Sequence, residues 1–93
     1  MDADSHLAAL VCLHVFRNEL PVLLVVHSEQ FWCLLCGGPH GNNTSEYKVV
    51  GIGHEIGKDP SIDQLSDLPF GWQAERKAVG DRWVRMETPP EFR

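Results

Sequence analysis

Apolar residues crowd the first third of the chain in three runs: "LAALVCLHVF" (7–16), "PVLLVVH" (21–27) and "FWCLL" (31–35). Polar "RNEL" and "SEQ" separate them. Runs of this length, rich in β-branched and apolar residues and bounded by turn formers, predict a three-stranded meander. Part of the stretch 14–19 could instead close a helical turn before Pro21, since the residue ahead of a proline is pushed out of the helix. With turns centred near Asn18–Glu19 and Glu29, period-2 counting puts Val11, Leu13, Val15, Val22, Leu24, Val26, Trp32 and Leu34 on one face. Cys12, His14, Phe16, Leu23, Val25, Phe31, Cys33 and Leu35 fall on the other. Both faces are apolar, whereas a half-solvated antiparallel sheet alternates. The second face is therefore expected to be covered by the C-terminal half or by a partner, a second copy in a homodimer among the possibilities.

Beyond the meander the pattern changes. "GGPHGNNTSE" (37–46) is a loop by composition. In "YKVVGIGHEIGK" (47–58), Tyr47 to Val50 favours strand, while Ile52 and Ile56 at i, i+4 suit a short helix. Pro60 opens a turn or short helix after Asp59, and Pro69 closes it. "GWQAERKAVGDRWVRMET" (71–88) predicts a hairpin. A three-residue loop at Val79–Gly80–Asp81 sets Glu75 opposite Arg85 and Ala74 opposite Met86. Trp72, Ala74, Ala78, Val84 and Met86 then line its inner side together with Arg76, and Trp83 lies outside. The expected architecture is α+β: residues 1–93 as one small domain, an antiparallel sheet of about five or six strands with one or two short helices.

Eight basic against 13 acidic residues give a net charge of −5. That argues against a nucleic-acid partner, which calls for a basic patch, and leaves room for a basic protein partner or a basic substrate. Even the apolar run 7–13 is far short of the roughly 20 residues a membrane span needs. "MDADSH" is acidic where a signal peptide carries a basic segment, and three cysteines make no disulfide framework. A reducing cytoplasm is the expected compartment.

The C-x-x-C of "FWCLLCGGPHG" (31–41) invites a metal or redox reading. Cys33 and Cys36 make one ligand pair, and His40 and His54 are the histidines that would complete it. Their separation does not match a usual second zinc pair. Residues three apart on a strand also point to opposite faces. A redox pair sits at a helix N-terminus, and Gly-Gly-Pro-His-Gly is a poor helix. Neither glycine-rich stretch matches a phosphate cradle or dinucleotide fingerprint, and His54–Glu55 is not part of H-E-x-x-H. No metal, cofactor or enzymatic activity is expected; a small metal-binding or enzymatic domain using Cys33, Cys36, His40 and His54 is the competing reading.

Asp59, Asp63 and Asp67 recur every four residues, as solvated turn residues or as an acidic contact surface. If Arg76 is buried it needs a carboxylate, with Asp63 or Asp67 at hand. An exposed Trp83 would be a good interface anchor.

Taken in order, "LVCLHVF", "PVLLVVH", "FWCLLCGG" and above all "DPSIDQLSDLPFGWQAER", followed by "DRWVR", resemble a bacterial immunity-protein family of polymorphic toxin systems, formerly a domain of unknown function. The resemblance spans about residues 10 to 86, and its D-P-S-I…L-x-D-L-P-x-G-x-x-A-x-R part is the most specific. It implies a non-enzymatic protein that binds and neutralises a cognate toxin, and it carries no catalytic or metal residues. This sequence departs from the family in the loop after "FWCLLCGG", where "PHGNNTSE" replaces a more acidic stretch. The expected contact residues are Asp59, Asp63, Asp67, Trp83 and His40.

Overall fold

The computed structural model describes residues 7–28, 31–37 and 47–89. Along the chain run β1 (Ala8–Cys12), α1 (Leu13–Phe16), β2 (Leu24–His27), β3 (Trp32–Leu35), β4 (Tyr47–Gly51), α2 (Ile52–Lys58), a 3-10 helix (Pro60–Leu65), β5 (Trp72–Glu75) and β6 (Val84–Glu87). The strands form one six-stranded sheet in the order β4-β1-β3-β2-β5-β6. This is the expected α+β class and strand number, with three short helices among the described residues.

The N-terminal strands are not a meander. β2 and β3 do pair antiparallel as a hairpin. Ser28 closes it, its hydroxyl donating to the Phe31 carbonyl at 2.7 Å and accepting from the Phe31 amide. β1, however, does not touch β2. It runs parallel to β3 on one side and antiparallel to β4 on the other. The reason lies in residues 13–23. Leaving β1, the chain coils into α1 and reverses at Asn18, whose positive φ of 59° is tolerated by asparagine. The His14 carbonyl accepts from the amides of Glu19 and Leu20 as the turn closes. A tight hairpin would set β2 about 4.8 Å from β1; this longer connection sets it two strand spacings away, and β3 fills the slot.

That helical turn also breaks the period-2 count. Cross-strand pairing aligns Val11 with Leu34, Leu34 with Val25 and Val25 with Ala74, so these four share a face. Val25 thus sits with Val11 and Leu34, opposite to expectation, and Leu24 and Val26 point the other way. Ala9, Val11, Val25, Trp32, Leu34 and Ala74 are buried, in one core with Ile52 and Ile56 of α2 and with Ile62, Leu65 and Leu68.

In α2 the Ile52–Ile56 spacing produces the predicted helix, with both residues buried on one side. The 3-10 helix starts as the sequence indicates: Asp59 caps it by accepting from the Ser61 amide, and Pro60 stands in its first turn, where no amide is needed.

β5 and β6 form the predicted hairpin, one residue out of the expected register: Ala74 faces Arg85, and Glu75 faces Val84. The strands end at Glu75 and Val84, so the connection is longer than three residues. Gly80 turns it with φ 93°, a conformation costly for any residue carrying a Cβ. Gly80→Ala is expected to cost about 1 kcal/mol in urea unfolding, through backbone strain alone.

The sheet's other face is less covered. Leu10, Leu24, Val26, Cys33 and Met86 are only partly buried. Val49 and Val84 are 60% and 54% exposed.

Candidate functional site

Residues from Asp59 to Arg76 fold into a polar lock. Arg76, one residue beyond β5, is buried, its side chain 1% exposed. Its Nη2 donates to the Asp59 carboxylate and to the Val22 carbonyl at 2.9 Å. Nε donates to the same carbonyl at 3.2 Å, and Nη1 to the Ser61 hydroxyl at 2.9 Å. That hydroxyl donates to Asp59 Oδ1 at 2.7 Å. The guanidinium also lies 4.2 Å from the centre of the Trp83 ring. Burial alone would raise the Asp59 pKa. Hydrogen bonds from Ser61 and Arg76 and the Arg76 charge outweigh it and hold the carboxyl below its ordinary value. In D-P-S…A-x-R, the aspartate, serine and arginine thus meet as one cluster tying β2, the 3-10 helix and the end of β5. The anticipated carboxylate for Arg76 is therefore Asp59, not Asp63 or Asp67.

This revises two of the expected contact residues. Asp59 is committed to Arg76. Trp83 is buried at 8% exposure, because it forms the lid over the guanidinium after the hairpin register shifts by one. Asp63 and Asp67 are exposed on and just past the 3-10 helix. Arg85 donates to Asp67 at 2.8 Å and to the Gln64 carbonyl, and the first of these bonds lowers the Asp67 pKa. An ion pair this exposed contributes little to stability. Asp67→Asn is expected to leave the urea midpoint unchanged, as chemical denaturation would show. His40 lies outside the described residues.

Among the described residues, Cys33 joins no cluster of metal-ligating side chains. Cys33 lies on the sheet's less covered face, where burial raises its thiol pKa and a Ser28 hydrogen bond only partly offsets it. It is expected to react with iodoacetamide more slowly at pH 8 than an unfolded-chain cysteine, as mass spectrometry of labelled peptides would show. His54 is exposed on α2. Cys36 instead meets residues of the β1 end. Its Sγ is 3.5 Å from His14 Nδ1, and the ligating atoms of Cys12, His14 and Cys36 all lie within 4.8 Å of one another. Parallel pairing of β1 and β3 brings them together, because both strands end at the same edge. The Cys12-x-His14 spacing was the legible half of this cluster; the parallel partner strand was not.

Two further polar features have structural explanations. His27 Nδ1 lies 2.5 Å from the Leu68 carbonyl and therefore carries a proton; the ring stacks on Trp32 at 3.8 Å and contacts Phe70. Glu55, buried in α2, pairs with Lys58 at 3.3 Å, and Lys58 also donates to Asn18 at 2.7 Å. These three line a groove of about 500 Å³ beside Val15 and Pro60, and among the described residues its lining includes no serine, cysteine or histidine for nucleophilic chemistry.

No helix among the described residues is long and apolar enough to cross a membrane. In comparison with known proteins, no family model matches the chain, and no curated protein or solved structure matches it either.

Proposed function

We propose that this chain is a non-enzymatic protein-binding domain of the immunity type, which neutralises a cognate bacterial toxin by docking the less covered face of its sheet against it. One observation carries this reading: apolar side chains from five of the six strands lie on that face without being fully buried. Leu10 (β1), Leu24 and Val26 (β2), Cys33 (β3), Val49 (β4), and Val84 and Met86 (β6) take part. The opposite face is closed by α2 and the 3-10 helix, so the two sides of the sheet are used differently. An incompletely buried apolar surface of this kind marks an interaction site. The net charge of −5 and the exposed Asp63 and Asp67 favour a basic partner and speed its approach. Gln73 and Glu75 of β5 lie on the same face between the apolar residues of β2 and those of β6, and supply hydrogen-bonding groups within the patch.

Masking a toxin needs no reacting group, in keeping with the structural roles of Arg76, Asp59 and Glu55. Where a toxin gene lies beside this one, the test is to express its product with and without the chain. Restored growth together with a stable one-to-one complex on gel filtration is the expected result. A chain that leaves toxicity unchanged and elutes separately from the toxin overturns the proposal. The same face would serve self-association, which sedimentation of the free chain measures directly; a constitutive dimer that buries it would place the toxin contact elsewhere.

A further inference from the structure

We infer that Cys12, His14 and Cys36 form a zinc-binding site where β1 and β3 end side by side. Two thiols and an imidazole are the donor types that zinc selects. Bound at about 2.3 Å to sulfur and 2.0–2.1 Å to nitrogen with tetrahedral angles, a sulfur and a nitrogen ligand stand about 3.6 Å apart, and two sulfurs about 3.8 Å. The observed Cys36 Sγ to His14 Nδ1 separation is 3.5 Å, and no pair in the group exceeds 4.8 Å. Small rotations of the side chains suffice to close the set around an ion. Two segments distant in sequence supply the ligands, so binding would fasten the exit of β1 to the exit of β3 at the parallel pairing of the sheet. The three described ligands leave a fourth tetrahedral position, for which a water molecule is sufficient.

The same trio could be read as a Cys–His nucleophile, but burial argues otherwise. Cys12 is 0% and Cys36 5% exposed, leaving no room for a substrate beside either sulfur. His14 is only partly buried, which gives an ion a way in. A catalytic nucleophile must be reached by its substrate, which the burial of both sulfurs prevents. On binding, both thiols ligate as thiolates and release their protons to solvent, while the imidazole binds neutral through Nδ1. Cys33, opposite Leu10 and further back along the ladder, is not one of the three.

The full chain, purified under reducing conditions and stripped with a chelator, is titrated with Co²⁺ and Zn²⁺. The expected result is one equivalent bound per chain, a thiolate-to-cobalt charge-transfer band that Zn²⁺ displaces, and a higher melting temperature with Zn²⁺. Cys33→Ser should keep all three. Cys36→Ser should weaken binding by at least about tenfold, the lower end of what even indirect ligand supports contribute. Because Cys12 and Cys36 are core residues and their variants can fail to fold, His14 gives the independent arm. His14→Cys should keep one equivalent and strengthen the charge-transfer band, while His14→Ala should lose binding with the circular dichroism spectrum retained. Absence of the band in the folded wild-type chain, loss of it in Cys33→Ser, or undiminished binding in His14→Ala would overturn the inference. So would a Cys12–Cys36 disulfide that persists under reducing conditions.

Discussion

Replacing Arg76 with alanine is expected to destabilise the protein by about 3–4 kcal/mol, enough to unfold a large fraction of a marginally stable small domain at 37 °C. The substitution removes the donor to the Val22 carbonyl and the charge that faces Asp59, and it strips Trp83 of the ring contact beneath it. Breaking one half of a buried pair is costlier than replacing both halves, because the remaining group keeps its desolvation without its partner. The estimate sits toward the lower end of the usual range because the Asp59 side chain is 21% exposed and regains some water. Arg76→Lys rescues only part, since an ammonium cannot span the carboxylate, the serine and the carbonyl together. Urea unfolding of the three proteins measures this order directly.

The same lock sets a pH dependence. The folded-state pKa of Asp59 is depressed below its ordinary 3.8. Its contribution is thus complete above that value and lost as the pH falls through the folded pKa. The urea midpoint of the wild type should fall between about pH 5 and pH 2 more steeply than that of Asp59→Asn, which lacks the titrating group. Equal slopes would mean that Asp59 is not held ionised by Arg76.

The second large effect is expected at Leu34. It lies in β3, is 0% exposed, and is flanked by Val11 on β1 and Val25 on β2. Leu34→Ala should cost about 3–4 kcal/mol: the lost transfer energy of the side chain plus a cavity that neighbouring strands cannot collapse to fill. Leu24→Ala, one row along and on the opposite face, should cost less than half as much because Leu24 is only partly buried. The meander expected from the sequence would reverse part of this pattern by placing Leu24 beside Leu34. Comparing the two variants by thermal melts tests the observed register.

What the sequence made legible was local. The β2 and β3 runs, the Ile52–Ile56 helix, the Asp59–Pro60 helix start and the C-terminal hairpin follow from periodicity and turn chemistry within a few residues of each element. Burial of Arg76 followed from its place among inward-facing residues. What the sequence hid was non-local. A four-residue helix after Cys12 changes the parity of everything beyond it, and insertion of β3 between β1 and β2 leaves no mark on either strand's composition. Those two events decided which cysteines meet. C-x-x-C was conspicuous in sequence and is split in space, while Cys12, His14 and Cys36 lie scattered in sequence and converge. Trp83 moved from an exposed anchor to a buried lid by one residue of hairpin register, and Val84 and Met86 took its place on the outer hairpin face.

Paired surface variants test which side of the sheet meets the proposed toxin partner. Calorimetric titration of a toxin neutralised in the growth test against the wild type, Val49→Glu/Val84→Glu, and Asp63→Lys compares the apolar face with the helix side. All three positions are exposed, so the fold should survive each change. The expected result is at least about a thirtyfold loss of affinity for the valine pair, matching a hot-spot loss near 2 kcal/mol, and a smaller, salt-dependent loss for Asp63→Lys. Full affinity in Val49→Glu/Val84→Glu would contradict the account.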